Sequence, residues 1–287
     1  MAAVRGPAMR MAGVVVAALL LGSAGCARPG GSALPSVSLP TGPSPSSVPS
    51  VLPSTPSPSP RPPPPVSPPT PSTGPTLPAS LLGTQWYRLP TTDKVVALTF
   101  DAGAGATGAG PILQTLRETG AAATFFLTGR WAETYPNLAR EIGARYPVGN
   151  HTYDHPDLTK PSDADVRQQL DRAREAILRH AGVDPRPLFR FPFGAASPHA
   201  ITLVNAAGYG AVTWTVDTRG WMGTSGGQSV DTVVQRVLDA LQPGAIVIMH
   251  VGANPQDGST LDADALPRVI AEIRARGYDF VAISAFL

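Results

Sequence analysis

The residues of this chain able to do chemistry fall in short polar clusters at the ends of apolar runs. Asp101 closes Val95-Val96-Ala97-Leu98-Thr99-Phe100 and precedes the small-residue stretch Ala102-Gly103-Ala104-Gly105-Ala106. A carboxylate there is partly desolvated and suits a general base acting on a cation-activated water. His151 and His155 are four residues apart, a spacing that on one helical turn points both imidazoles the same way, as a pair of divalent-metal ligands requires. His250 ends Ile246-Val247-Ile248-Met249, where it can protonate a leaving group. Arg190 and Asp217 each end a strand-like run and can orient the base and the acid through charged hydrogen bonds. The bland alternatives are a turn aspartate, two surface histidines, a core histidine and ordinary ion pairs. The other two of the five histidines, His180 and His199, read as solvent-facing residues without partners.

These clusters need a scaffold, and alternating patterns supply one. Strand-like runs (95–100, 123–127, 146–150, 188–191, 209–216, 245–249 and 280–283) alternate with amphipathic helices. Ile112, Leu113 and Leu116 mark a helix closed by Gly120; Trp131, Tyr135, Leu138 and Ile142 mark a second. Ser162 caps a third, with Asp165 three residues on, and Ser197-Pro198 opens a fourth. Val230 to Leu241 and Leu266 to Ile273 supply two more. Continuous apolar strands between helices argue for a parallel sheet covered by helices. The expected fold is α/β, a distorted (β/α) barrel of about seven parallel strands with its chemistry on the loops after the strands.

The expected domain runs over 81–287, long enough for one sizeable core. Residues 1–26 read as an export signal: Arg5 and Arg10, then an apolar stretch from Ala12 to Gly22 that is too short to span a bilayer, then Ser23-Ala24-Gly25 before Cys26, the single cysteine. The arrangement resembles a bacterial lipobox, with Ser23 where leucine is usual, and implies membrane attachment through lipid on Cys26. Residues 27–80 hold 19 of the 33 prolines, and Arg28 and Arg61 are the only charges there. Such a segment is a disordered tether, reaching on the order of 150 Å if it is extended polyproline II. The expected location is the cell membrane facing the wall, or secretion. A net charge of +2 gives no basic face for nucleic acid.

Taken in order, the clusters resemble the polysaccharide deacetylase family with the NodB-homology domain, also called carbohydrate esterase family four. Thr99-Phe100-Asp101-Ala102-Gly103 is similar to the family's Thr-Phe-Asp-Asp-Gly. His151 to His155 matches His-[Ser/Thr]-x-x-His, and Arg190-Phe191-Pro192-Phe193-Gly194 matches Arg-x-Pro-[Phe/Tyr]-Gly. Asp217-Thr218-Arg219-Gly220-Trp221 is similar to Asp-x-x-Asp-Trp, and Val247 to His250 to Leu-x-x-His.

The resemblance implies hydrolysis of N-acetyl groups on an N-acetylated polysaccharide, peptidoglycan or chitin-like amino sugars, using a divalent metal, zinc first; the expected state is a monomer. It puts Asp101 at the general base, His151 and His155 at metal ligands and His250 at the general acid. Arg190 steadies the base, and Phe193 and Trp221 line the sugar groove.

Two positions depart from the pattern. The family's third metal ligand is Ala102 here, and the Asp that pairs with the acid histidine is Gly220. Asp217 is the expected substitute for the latter. The departures keep a catalytically weakened glycan-binding module open as an alternative, and an O-acetyl esterase acting on xylan is another.

Overall fold

The computed structural model describes residues 77–287. The export signal, Cys26 and almost all of the tether lie outside the described residues.

Nine strands share one sheet: β1 (Gln85–Trp86), β2 (Val95–Ala102), β3 (Ala123–Leu127), β4 (Val148–Asn150), β5 (Leu188–Phe189), β6 (Gly210–Val212), β7 (Val216–Asp217), β8 (Ala245–His250) and β9 (Asp279–Phe280). The spatial order is β1-β6-β5-β4-β3-β2-β8-β7, with β9 on β2, and every ladder is parallel. No ladder joins β1 to β7. An isolated antiparallel bridge between Arg88 and Ala245 and the bond from the Thr215 hydroxyl to the Tyr87 carbonyl stitch that gap. The sheet is therefore a curled, incompletely closed barrel. It has nine strands instead of about seven because Gln85–Trp86 adds one and the run 209–216 splits at Thr213–Thr215.

The helices are α1 (Ala109–Thr119), α2 (Gly129–Thr134), α3 (Pro136–Gly143), α4 (Asp163–Ala181), α5 (Pro198–Ala206), α6 (Val230–Asp239) and α7 (Leu261–Ala275). Ser162, Ser197 and Ser229 accept from backbone N–H groups of the first turns of α4, α5 and α6, satisfying donors that the helix leaves open. Gly120 closes α1 at φ 66°, a left-handed cap that glycine adopts without side-chain strain. The single helix expected over 131–142 is two, because Tyr135 leaves helical geometry (φ −124°, ψ 59°) and Pro136 starts a new first turn.

Strand alternation sorts side chains onto two faces. From β2, Val96, Leu98, Phe100 and Ala102 join the helix-facing core; from β8, Ala245, Val247 and Met249 do the same. The intervening Ala97 and Ile246 meet Trp86, Phe126, Leu188 and Val212 inside the barrel. By the same alternation Thr99 and Asp101 of β2, and Ile248 and His250 of β8, face the interior at its C-terminal mouth. Register ties the two ends together: Asp101 pairs with His250 across the β2–β8 ladder.

Candidate active site

Asp101 stands at the centre of the mouth. Arg190, which follows β5, reaches it with Nη1 at 2.7 Å from Oδ1. The guanidinium is wholly buried, and its other N–H groups are spent on Thr99 Oγ1 and the carbonyls of Val212 and Thr213. It lies 4.1 Å over the Phe126 ring. Burial alone would raise the Asp101 carboxyl, but Arg190 beside it, with His151 and His250 adding to the effect, holds it below the usual carboxylate range. Asp101 is therefore an ionised carboxylate with little exposure to solvent.

His151 and His155 converge, but not along a helical turn as their spacing suggests. Residues 151–155 are a loop after β4 in which Thr152 and His155 take left-handed backbone angles (φ 67° and 65°). Buried Asn150 organises the loop. Its amide donates to the Leu170 carbonyl and the Tyr209 hydroxyl, while its oxygen accepts from Thr152 N–H. Thr152 Oγ1 in turn accepts from His155 N–H, and Gln169 Oε1 of α4 accepts from Tyr153 and Asp154 N–H. The two Nε2 atoms end 3.1 Å apart, with His151 Nε2 also 3.4 Å from Asp101 Oδ2.

His151 Nδ1 lies 2.9 Å from the Arg190 carbonyl, which can only accept, so Nδ1 carries the proton and Nε2 keeps its lone pair for the cleft. Burial lowers both imidazoles. It acts with the neighbouring His151 to bring His155 down to about 4, so both are neutral at ordinary pH.

This donor pair fits a divalent cation. The 3.1 Å separation is about that of two nitrogens each about 2.0–2.1 Å from one zinc ion. Among the described residues no set of three or more His, Cys, Asp or Glu side chains forms a metal-holding group. Ala102 offers only a buried methyl, packed in the helix-facing core.

His250 borders the opposite side. The partner expected for it, Asp217, is engaged elsewhere: Oδ1 accepts from Arg219 N–H, and Oδ2 lies 3.3 Å from Trp221 Nε1. The carboxylate beside His250 is Asp262 of α7, whose Oδ2 is 3.4 Å from Nδ1. Burial would lower His250, yet Asp262, with smaller contributions from Asp101 and Asp217, raises it above the ordinary histidine range. Sequence reasoning missed Asp262, Asn150 and Gln169. The acidic first turn of α7 was the only local signal for Asp262. His199 also has an unexpected partner, Asp163 Oδ1 at 2.7 Å, but both are exposed and remote from the mouth.

The open cleft, about 570 Å³, is bordered by Asp101, His151, His155, Phe193, Trp221 and His250. Phe193 is 70% exposed and stands edge-on to His155 at 4.6 Å; Trp221 is 49% exposed and faces His250 at 6.4 Å. Two exposed aromatic rings beside a carboxylate, a lone imidazole and a pair of imidazoles suit a ligand with apolar faces and a polar group between them. Every site residue expected from sequence reaches this mouth or directly supports it.

A family model described as polysaccharide deacetylase matches residues 88–212. The chitooligosaccharide deacetylase of Azorhizobium caulinodans is 31% identical over 208 residues, covering 69% of this chain and 97% of that protein. The peptidoglycan-N-acetylglucosamine deacetylase of Bacillus cereus is 33% identical over 195 residues, 68% of each. Among solved structures, a carbohydrate esterase family 4 pseudoenzyme from Bacillus anthracis superposes with a TM-score of 0.64 at 30% identity, covering 71% of this chain and 69% of that one. A mutant of that pseudoenzyme, described as having restored enzymatic activity, matches with the same score and identity and covers 71% of each chain. With the barrel, the ordered clusters and these relatives in agreement, the chain belongs to the polysaccharide deacetylase family, carbohydrate esterase family four.

Proposed function

We propose that this chain removes N-acetyl groups from an amino-sugar polysaccharide of the peptidoglycan or chitin class. The observation that carries the reading is Asp101, kept ionised by buried Arg190 and placed 3.4 Å from the His151 side of a metal-competent pair. His151 and His155 would hold a divalent cation, for which zinc is the best match to two imidazoles. Bound there, the cation polarises the acetyl carbonyl and makes water more acidic.

The remaining steps belong to the chain. Asp101 takes the proton from the attacking water as the new C–O bond forms. Protonated His250 gives its proton to the amide nitrogen as the C–N bond breaks, leaving acetate and a free amine. Phe193 and Trp221 hold the sugar between aromatic faces. As part of the same proposal, the domain is a monomer, exported and either tethered through Cys26 or secreted. The test is acetate release from peptidoglycan fragments and chitin oligomers with the metal content measured alongside. Activity that is lost in Asp101→Asn and His250→Ala supports the roles, and activity indifferent to both removes them.

Ala102 favours a second reading, a glycan-binding domain with weakened turnover, since among the described residues no group of three ligands would hold a cation there. Tight oligosaccharide binding without acetate release under any divalent metal selects it. An ester substrate cleaved in preference to the amide would instead point to O-deacetylation.

A further inference from the structure

We propose that Asp262 is the positioning residue of His250, supplying from α7 the carboxylate that Gly220 lacks. The inference deepens the reading above and rests on His250 being the proton donor.

Asp262 is 3% exposed in the first turn of α7. Its Oδ2 accepts the backbone N–H of His250 at 2.8 Å and lies 3.4 Å from the ring Nδ1. Its Oδ1 accepts from the Thr218 hydroxyl at 2.6 Å. The carboxylate is thus clamped between the strand that carries His250 and the loop that carries Gly220.

The histidine's need matches this placement. His250 Nδ1 is buried and has no hydrogen-bond partner among the described residues; the carboxylate oxygen beside it is Asp262 Oδ2 at 3.4 Å. Asp262 Oδ2 is the acceptor placed to take the Nδ1 proton once the ring turns toward it. It then holds the proton on that nitrogen, turns Nε2 to the cleft, and favours the charged ring that an acid must reach before it donates.

The exchange with position 220 is steric as well as electrostatic. A Cβ on residue 220 would stand 2.3 Å from Asp262 Oδ1 and 2.5 Å from its Cγ. A side chain at 220 would force the Asp262 carboxylate out of its present place, so the bare position at 220 and the placement of Asp262 go together. Asp101 on β2 and Asp217 on β7 also act electrostatically on the ring, but only Asp262 lies within ion-pair distance of it.

Four variants of the full chain test this: Asp262→Asn, Asp262→Ala, Gly220→Asp and Gly220→Asp/Asp262→Ala. In Asp262→Asn, which keeps an oxygen for Thr218, kcat should fall about 10²-fold with KM nearly unchanged, and the basic limb of the pH profile should move down by about one unit or more. Gly220→Asp alone should lose activity through the clash. The double variant should recover at least about tenfold of the kcat lost in Asp262→Ala.

A second readout does not need turnover. Nitrogen-15 NMR of the His250 ring, assigned by its loss in His250→Gln, should show the Nδ1–H tautomer in the wild type and a lower titration midpoint in Asp262→Asn. A folded Asp262→Asn with unchanged kcat and unchanged His250 titration overturns the proposal. If neither Asp262 variant folds, an Nε2–H tautomer in the wild type overturns it. If the wild type releases no acetate from any glycan, the proposed function fails while the NMR result still decides the role of Asp262.

Discussion

Arg190 Nη1 lies 2.7 Å from Asp101 Oδ1 in a pair whose arginine side chain is fully buried. Removing one member of such a pair leaves a charge in a low-dielectric site, a loss of about 3–5 kcal/mol. Arg190→Ala should therefore lower the melting temperature by on the order of 10 °C for a domain of this size. Arg190→Lys should fall between, because a lysine keeps the charge but cannot reach Thr99, Asp101 and the two carbonyls with one planar fork. Thermal unfolding of the three proteins, followed by circular dichroism, checks the order. A wild-type melting curve for Arg190→Ala would deny the pair its structural role.

On the proposed mechanism, the raised affinity of His250 for its proton sets one limb of the activity profile. Burial opposes the charged ring, and Asp262 leads the groups that outweigh burial. As the acid, His250 must be protonated, so activity falls as pH rises through its folded pKa, which lies above the ordinary value near about 6.5. The basic limb of kcat/KM for acetate release should accordingly sit above about 6.5. A limb centred at or below 6.5 would show that another group supplies the proton.

Asp217 supports the groove wall through Trp221, whose Nε1 lies 3.3 Å from Oδ2. Trp221 is half exposed and contributes an apolar face, so its loss should weaken the hold on ground state and transition state alike. Trp221→Ala should raise KM for a chitin oligomer about tenfold with a smaller change in kcat. Asp217→Asn, which loosens the indole without removing it, should raise KM less. The opposite split, a fall in kcat at constant KM, would place Trp221 in the chemistry instead of in binding.

Asp184 joins the body of α4 to the loop before β5, bonded by Arg174 and Arg186, each with an N–O contact of 2.7 Å. Burial raises its carboxyl, but the bonds from Arg186 and Arg174 outweigh this and hold it well below the usual range. A depressed folded pKa stabilises the protein at pH values above the unfolded pKa near about 4, and the gain is lost as pH falls through the folded pKa. The side chain is about a third exposed, so charge-assisted bonds here should contribute only about 1–2 kcal/mol. Urea unfolding should show Asp184→Asn weaker by that amount at pH 7. The difference should shrink below about pH 4, and a gap that stays constant to pH 2.5 would contradict the linkage.

The parts of the site legible from sequence are those that local pattern controls. Asp101 and His250 lie at the C-terminal ends of almost wholly buried strands, and alternation along β2 and β8 turns them to the same mouth as Thr99 and Ile248. The His151–His155 pair was legible as a pair but not as a loop. Its spacing also fits a helical turn, and what prevents the turn is Asn150, whose partners Leu170 and Tyr209 are 20 and 59 residues away. Asp262 was illegible for a related reason. Within Thr260-Leu261-Asp262-Ala263-Asp264 it reads as an ordinary first-turn acid complementing the helix dipole, and its contact with the loop at 218–220 exists only once α7 packs behind β8. Position 220 was read by its missing carboxylate, which drew attention to Asp217, the nearest acid in sequence and the wrong one in space.

Ala102 sets the terms for the cation. Its methyl is wholly buried in the helix-facing core, so an ionised carboxylate put there would be desolvated at substantial cost unless a cation or a proton neutralised it. Ala102→Asp should therefore melt several degrees below the wild type in chelator. If the new carboxylate reaches the cation held by His151 and His155, zinc should restore the loss, because a ligand that binds only the folded state stabilises it by mass action. Zinc titration followed by calorimetry should then show at least about tenfold tighter binding than in the wild type, with acetate release rising in parallel. A variant destabilised equally with and without zinc would mean that residue 102 does not reach the pair, and the missing ligand would have to be sought from water or the substrate.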